Sequence, residues 1–176
     1  VNVNFKDVVS IDCGNGVTGA VVKKIFSTLK VNTRIINEDV DGNFPNHPPD
    51  TSNEENLLQL KNEIKKNRSR IGFAYDGDGD RIVVLKNNGD VIWPDQLMIL
   101  FSRNILRDNK NAKIVYDIKC TKYLEEEILK NDGIPVLSRT GHSFIKKAMI
   151  NQKALLGGEM SGHIFFADKY YGYDDG

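Results

Sequence analysis

Cysteine is scarce in this sequence, and neither sign of charge is in excess. Only Cys13 and Cys120 occur among the 176 residues, with no metal-like spacing and no histidine motif beside them. This argues against a disulfide framework and a cysteine-ligated zinc site, so we expect reduced thiols in a cytoplasmic protein. Lysine and arginine together number 24, as do aspartate and glutamate, which argues against nucleic acid as a partner.

Long apolar runs are also missing. No segment approaches the ~18 apolar residues of a membrane-spanning helix and no signal peptide opens the chain, so we expect no membrane partner. The composition, 40% hydrophobic and 27% charged, is that of a globular protein. The chain begins at Val1 rather than Met, and residues 173–176 resemble a helix start with no helix behind it. We therefore expect both ends to be cuts within a longer polypeptide.

Short apolar runs alternate with helical patterns along the chain, which predicts an α/β fold. Strands are predicted at 8–12, 33–37, 71–75, 82–85, 91–93, 113–117, 135–137, from 155 onward, and at 164–166. Helices are predicted at 17–29, 54–66, 94–107, 122–130 and 142–150. Asn53 is expected to cap the second helix, with Leu57, Leu58, Leu60 and Ile64 facing inward. A boundary near Trp93 divides the chain into domains 1–93 and 94–176.

The strongest chemical signal is a loop in which three carboxylates, Asp76, Asp78 and Asp80, alternate with two glycines. Clustered carboxylates repel unless a cation or an arginine neutralises them, and all-oxygen ligands suit Mg²⁺ or Ca²⁺. Arg81 follows directly and can grip a phosphate. An EF-hand is disfavoured, because its sixth position is Arg81 rather than Gly and its twelfth is Asn87 rather than Glu. A solvated acidic turn is the remaining alternative to a metal site.

A glycine turn from Gly14 to Gly19 offers a different interpretation. It matches G-x-G-x-x-G, follows a predicted strand and opens a predicted helix, with Glu38 and Asp39 placed after the next strand. This is the layout of a dinucleotide-binding fingerprint, so a dehydrogenase is a real rival. Any strand-to-helix turn of an α/β domain can also use glycine for structural reasons.

A second polar loop, 157–163, combines glycines with Glu159, Ser161 and His163. Its carboxylate and hydroxyl, two residues apart, can accept from and donate to neighbouring sugar hydroxyls, and its imidazole can move a proton or bind phosphate. Three further residues, Thr140, Gly141 and His142, precede a predicted helix, and Lys119 follows a predicted strand. All three segments lie at the C-terminal ends of predicted strands, where the sites of α/β proteins gather.

Taken together, these motifs resemble those of the α-D-phosphohexomutases. The matching stretches are 12–16 (Asp-Cys-Gly-Asn-Gly), 44–47 (Phe-Pro-Asn-His), 76–81, 119–121, 140–142, 158–163 and 172–176. They run in family order over nearly the whole chain. The resemblance implies two consecutive three-layer α/β domains with mixed sheets, the second and third of four, of which the third is truncated here.

The resemblance also implies an activity, interconversion of hexose 1-phosphate and hexose 6-phosphate through a phosphoserine and a hexose 1,6-bisphosphate. Asp76, Asp78 and Asp80 would hold Mg²⁺, Arg81 would face the transferring phosphoryl group, and His163 is a candidate base. Sugar-binding residues would be Lys119, Thr140, Gly141, His142, Glu159, Ser161 and His163. The family's phosphoserine loop and fourth-domain phosphate loop have no match, so we expect domains I and IV to be missing partners and the chain alone to be inactive. The Glu-Met-Ser-Gly-His loop is typical of the glucose and mannose group. A sugar-phosphate binding module remains the non-enzymatic alternative.

Overall fold

The structure, a computed structural model, describes residues 5–174. The chain splits into two compact units, Val1–Ile92 and Trp93–Gly176. Both units are α/β, with mixed sheets, as predicted. Among the described residues, no helix combines the length and apolar character needed to cross a bilayer.

The described part of the first unit is built on a five-stranded sheet in the order β2-β1-β3-β4-β5. Its elements are β1 (Val9–Asp12), α1 (Gly19–Thr28), β2 (Thr33–Ile36), a 3-10 turn (Glu54–Leu57), α2 (Leu58–Asn67), β3 (Ile71–Tyr75), β4 (Ile82–Lys86) and β5 (Val91–Ile92). Strand β1 runs parallel to β2 and β3, whereas β4 and β5 continue the sheet antiparallel. The helical crossovers join the parallel strands, and the predicted hairpin forms the antiparallel edge.

The described part of the second unit has a four-stranded sheet in the order β7-β6-β8-β9. Its elements are α3 (Pro94–Asp108), β6 (Lys113–Asp117), α4 (Lys122–Lys130), β7 (Ile134–Ser138), α5 (His142–Gln152), β8 (Leu156–Gly158) and β9 (Ile164–Phe166). Strand β6 is parallel to β7 and β8, and β9 is antiparallel to β8. The loops after β6, β7 and β8 therefore leave the same edge of this sheet.

Local sequence explains how the second helical segment begins and ends. The Asn53 side chain accepts a hydrogen bond from the Glu55 amide, as predicted for a cap, but the first turn is 3-10 and α2 begins at Leu58. The helix ends at Asn67, and the residue that caps it, Arg68, has a left-handed backbone. The predicted inward position of Leu58 is wrong, because the 3-10 turn shifts the helical phase and leaves that side chain exposed.

Each core is centred on a parallel strand that is buried on both faces. All four residues of β1 are buried, as are the last four of β6, from Ile114 to Asp117. Such strands read as continuous apolar runs, which is why both were recognisable from sequence. A polar residue ends each of them, Asp12 in β1 and Asp117 in β6, and both carboxylates are buried at the edge where the functional loops begin.

The last described residues differ from the helix start that the sequence suggests. Asp174 forms an isolated antiparallel bridge with Phe165 of β9. The remaining two residues of that motif, Asp175 and Gly176, lie outside the described residues.

Candidate functional site

The three predicted metal ligands come together in the first unit. Asp76, Asp78 and Asp80 each offer a carboxylate oxygen, and these oxygens all lie within 4.8 Å of one another. The loop that carries them reverses the chain between β3 and β4, which are antiparallel neighbours paired from Tyr75 to Ile82 at this end. The reversal is short enough that alternate side chains converge on one point, as the glycine spacing predicts.

The buried carboxylate of Asp76 organises this loop. Its Oδ1 accepts hydrogen bonds from the backbone amides of Gly79 and Arg81, both at 3.1 Å. Its Oδ2 accepts one from Nε of Arg81 at 2.5 Å. Because each carboxylate oxygen has two lone pairs, these bonds leave acceptor capacity for a cation. The all-oxygen donor set and the mutual distances fit a hard divalent ion such as Mg²⁺.

Three carboxylates lie within ion-pair distance of Arg81, namely Asp76, Asp50 and, with 3.8 Å from its Oδ1 to Nε of Arg81, Asp80. Nη1 of Arg81 lies 3.5 Å from Oδ1 of Asp50. Burial by itself lowers the pKa of Arg81, but the hydrogen bond and charge of Asp76, together with the charges of Asp50 and Asp80, outweigh it and raise the pKa. The pKa of Asp50 is lowered, first by a hydrogen bond from Ser52 and also by Arg81. Asp50 was not predicted as a site residue, because it lies 31 residues from Arg81 in a proline-rich loop with no motif of its own.

The glycine turn contacts this same loop, which gives its glycines a structural use. A Cβ placed on Gly16 would lie 2.4 Å from the carbonyl oxygen of Gly77, and one on Gly19 would lie 2.1 Å from that of Glu38. The backbone amide of Val17 also donates to the Gly77 carbonyl at 3.0 Å. Close backbone packing therefore accounts for these two glycines without a bound dinucleotide, and the dehydrogenase interpretation has no support.

In the second unit, Glu159 connects two of the predicted sugar-binding segments. Its buried carboxylate accepts from the Gly141 amide at 2.7 Å and from the Ser161 hydroxyl at 2.9 Å. The Glu159 amide donates to the carbonyl of His163, so the loop closes on itself. Gly141 has a φ of 125°, which side-chain-bearing residues rarely adopt, and this conformation aims its N–H at the carboxylate.

Both predicted histidines of this unit gather around Asp174. Nδ1 of His163 lies 3.0 Å from Oδ2 of Asp174, and Nδ1 of His142 lies 3.7 Å from the same oxygen. Lys146 approaches the other oxygen at 2.7 Å, and the two imidazole rings stack with centroids 5.5 Å apart. Burial raises the pKa of Asp174, but the Lys146 hydrogen bond and nearby positive charges bring it below its usual range. Asp174 was not predicted as a site residue; its place in the 172–176 motif was the available signal.

Asp117, at the end of β6, ties Lys119 and Thr140 together. Its Oδ2 accepts from the Thr140 hydroxyl at 3.2 Å and lies 4.0 Å from Nζ of Lys119. Its Oδ1 accepts from the backbone amides of Lys119 and Cys120. Burial, with Asp117 nearby, raises the pKa of the Cys120 thiol, which therefore stays protonated and unreactive. Lys119 itself is more than half exposed, so its ammonium can meet a ligand.

Comparisons with known proteins identify the family of this chain. A family model described as phosphoglucomutase/phosphomannomutase, alpha/beta/alpha domain II, matches residues 3–89, and the model for domain III of the same family matches residues 93–176. A phosphomannomutase/phosphoglucomutase of Pseudomonas syringae pv. tomato is 46% identical over 168 residues, which are 96% of this chain and 36% of the relative. The chain thus spans about a third of the length of that relative.

Solved structures also superpose on this chain. A phosphoglucomutase/phosphomannomutase family protein of Burkholderia thailandensis superposes with a TM-score of 0.97 and 41% identity over 100% of this chain and 38% of its own. An Aspergillus fumigatus N-acetylphosphoglucosamine mutase, solved in complex with GlcNAc-6P and magnesium, has a TM-score of 0.67 and 20% identity over 93% and 37% of the two chains, and so shares the fold. With both domain models matched in order, the chain belongs to the phosphoglucomutase/phosphomannomutase family.

Proposed function

We propose that this chain supplies the metal-binding and sugar-binding domains of a phosphohexomutase that interconverts hexose 1-phosphates and hexose 6-phosphates. The observation that carries the proposal is the convergence of Asp76, Asp78 and Asp80 within 4.8 Å beside Arg81. An acidic cluster of this kind, with one member fully buried, is built to hold a hard cation near a phosphate. Glucose and mannose phosphates are the proposed substrates, in line with the names of the relatives.

The residues of the first unit have distinct roles in this proposal. The three aspartates would ligate Mg²⁺, which when bound supplies positive charge to the transferring phosphoryl group. Arg81 would place its guanidinium against the same oxygens, since Asp76 and Asp50 already orient it. The sugar-phosphate and magnesium complex of the Aspergillus neighbour supports this ligand class.

The residues of the second unit would hold the sugar. Glu159 and Ser161, already joined by a hydrogen bond, present acceptor and donor groups to adjacent hydroxyls. Lys119, Thr140, Gly141 and His142 would bind the rest of the substrate. His163 would move the hydroxyl proton, with Asp174 facing its Nδ1 to orient the ring.

The proposal includes a phosphoserine that is not among the serines of this chain. A mutase assay with Mg²⁺, a hexose 1-phosphate and catalytic hexose 1,6-bisphosphate tests it on the chain and on its full-length parent. We expect an active parent and an inactive chain. An inactive parent would overturn the function, and an active chain would mean that the phosphoryl carrier lies within these 176 residues.

We also propose a cytoplasmic location. Cys13 and Cys120 are both free thiols. Burial raises the pKa of Cys13 to about 11, so it behaves as a small buried hydrophobe. Fractionation of the source cells would test the location, and recovery from an oxidising compartment would contradict it.

A further inference from the structure

A partly buried histidine–carboxylate pair joins the end of β1 to the proline-rich loop of the first unit. The Asp12 side chain, almost completely buried at the end of β1, faces Nε2 of His47 at 3.0 Å. The other oxygen of Asp12 accepts from the Gly14 amide and the Asn37 side chain, each at 2.9 Å. Nδ1 of His47 lies 2.8 Å from the Pro48 carbonyl. Nε2 also has the Asn37 amide nitrogen at 3.4 Å, but the nearest partner of each ring nitrogen is an acceptor, and this geometry favours a doubly protonated imidazolium paired with a carboxylate.

The segment that contains His47, residues 44–49, is attached at a second point. The Asn46 side chain donates to Oδ1 of Asn15 at 2.7 Å. Asn15 is itself fixed, because it adopts a left-handed backbone with φ 57° and its side chain donates to the Asp39 carbonyl. Two consecutive residues, Asn46 and His47, therefore pin this segment, which we call the brace, to the turn after β1.

The brace lies next to the proposed metal loop, residues 76–81, and Asp50, which follows the brace directly, places its Oδ1 3.5 Å from Nη1 of Arg81. A Cβ added to Gly77 would meet the Pro49 ring at 3.4 Å and the Phe44 ring at 3.6 Å, so these two rings line the space beside Gly77. On its other side, the Gly77 carbonyl accepts from the Val17 amide and lies against Gly16. The Gly77 peptide is thus held between the brace and the glycine turn, directly between two of the proposed metal ligands.

We infer that His47 is a positioning residue for the metal loop. Through its ion pair with Asp12 it holds Phe44 and Pro49 against Gly77, and this fixes the directions of the Asp76 and Asp78 carboxylates. Three carboxylates that repel one another need such support when no cation is bound. The inference rests on the proposed metal role of residues 76–80, and it assigns a task to a motif, Phe-Pro-Asn-His, to which sequence analysis gave none.

The first test needs no metal. Amide hydrogen exchange is measured by NMR for Gly79 and Arg81, whose N–H groups donate to Asp76 and report the loop's geometry. We expect His47→Ala to speed exchange at both amides by about tenfold or more, and His47→Gln, which keeps a donor toward Asp12, to have a smaller effect. Ser69→Ala is the matched control, because it removes a buried hydrogen bond to Ser10 at the far end of β3.

The second test measures Mn²⁺ affinity of the same variants. Loss of an outer-shell partner typically weakens metal binding about 10–100-fold, so we expect that range for His47→Ala, partial rescue by His47→Gln and no change for Ser69→Ala. Unchanged exchange and affinity in a folded His47→Ala or His47→Gln chain would overturn the inference, as would equal effects of Ser69→Ala. If the wild-type chain binds no Mn²⁺, the proposed metal site fails, while the exchange comparison still decides the positioning role.

Discussion

Gly16 and Gly77 are in direct backbone contact, although 61 positions separate them. A Cβ on Gly16 would lie 2.4 Å from the Gly77 carbonyl oxygen, closer than real Cβ atoms approach an oxygen. The contact exists because β1 and β3 are parallel neighbours, so the segments that follow them leave the sheet side by side. The glycine turn after β1 is therefore part of the support of the metal loop.

Substitution of Gly16 tests this contact. We expect Gly16→Ala to lower the free energy of unfolding by about 2 kcal/mol or more, because the added methyl must displace backbone rather than a flexible side chain. Gly42→Ala is the control, since a Cβ there meets nothing within 4 Å, and its effect should stay within about 0.5 kcal/mol. Urea denaturation measures both. Equal stability of the two variants would contradict the close approach.

Removal of the exposed member of the metal cluster separates binding from folding. We expect Asp78→Ala to weaken Mn²⁺ or Mg²⁺ binding by more than the roughly 10–100-fold that an outer-shell change costs, and to abolish activity in the full-length parent. Stability should change little, because Asp78 is exposed. Asp90→Ala removes an exposed acid from the hairpin turn, and the metal affinity measured by titration calorimetry should stay unchanged in this control. Retained Mg²⁺-dependent activity in Asp78→Ala would exclude the metal assignment.

Stability of the first unit should depend on pH through His47. The hydrogen bond that His47 donates to Asp12 raises the pKa of His47 above its ordinary value of about 6.5, although burial opposes the shift. A raised pKa means that the folded state holds the proton more tightly, so the stabilisation is complete below pH ~6.5 and is lost as pH rises through the folded pKa. The difference in unfolding free energy between wild type and His47→Gln should shrink over that interval. If the difference in unfolding free energy instead grew as pH rises, His47 would not have a raised pKa in the folded state.

Through Asp174, the stability of the second unit should depend on pH in the opposite direction. The lowered pKa of Asp174 gives stabilisation that is present above its unfolded value of about 3.9 and is lost as pH falls through the lower folded value. Asp174→Asn should therefore destabilise the second unit at neutral pH and become similar to wild type in acid. Glu126→Gln removes an exposed carboxylate from α4 of the same unit and serves as control. Thermal unfolding monitored by NMR measures the stability of both variants. Equal destabilisation by the two substitutions at neutral pH would contradict the role given to Asp174.

Glu159 and Ser161 should differ in what they contribute. We expect Glu159→Ala to destabilise the second unit by about 1–3 kcal/mol, because it leaves the Gly141 amide without its buried acceptor. Ser161→Ala removes only a hydroxyl that donates to Glu159, so it should weaken glucose 1-phosphate binding with a much smaller loss of stability. NMR titration with denaturation of each variant separates the two effects. A Ser161→Ala chain with unaltered ligand affinity would exclude its proposed contact with the sugar.

The sequence by itself was sufficient for the fold class and for the main chemical groups. Buried parallel strands read as apolar runs, the Asp-Gly alternation marked the metal loop, and the Glu-Met-Ser-Gly-His stretch marked the sugar loop, because each depends on residues adjacent in the chain. The residue pattern did not predict which side chains of the second helix face the core. The 3-10 turn before α2 rotates Leu58 outward, and the sequence contains no signal for that turn. One local signal also misled, since a G-x-G-x-x-G turn looks alike whether it meets a pyrophosphate or a neighbouring loop.

What only the tertiary structure decided is the identity of the partners that lie far apart in sequence. Asp50 beside Arg81, His47 beside Asp12 and Asp174 beside His163 join positions separated by 31, 35 and 11 residues. Single polar residues in loops carry no periodicity, so their pairing is invisible until the strands fix where each loop begins. Adjacent residues determine which chemical groups a loop carries. How those groups are oriented depends on which strands are neighbours and on the hydrogen-bond partners of the buried charges.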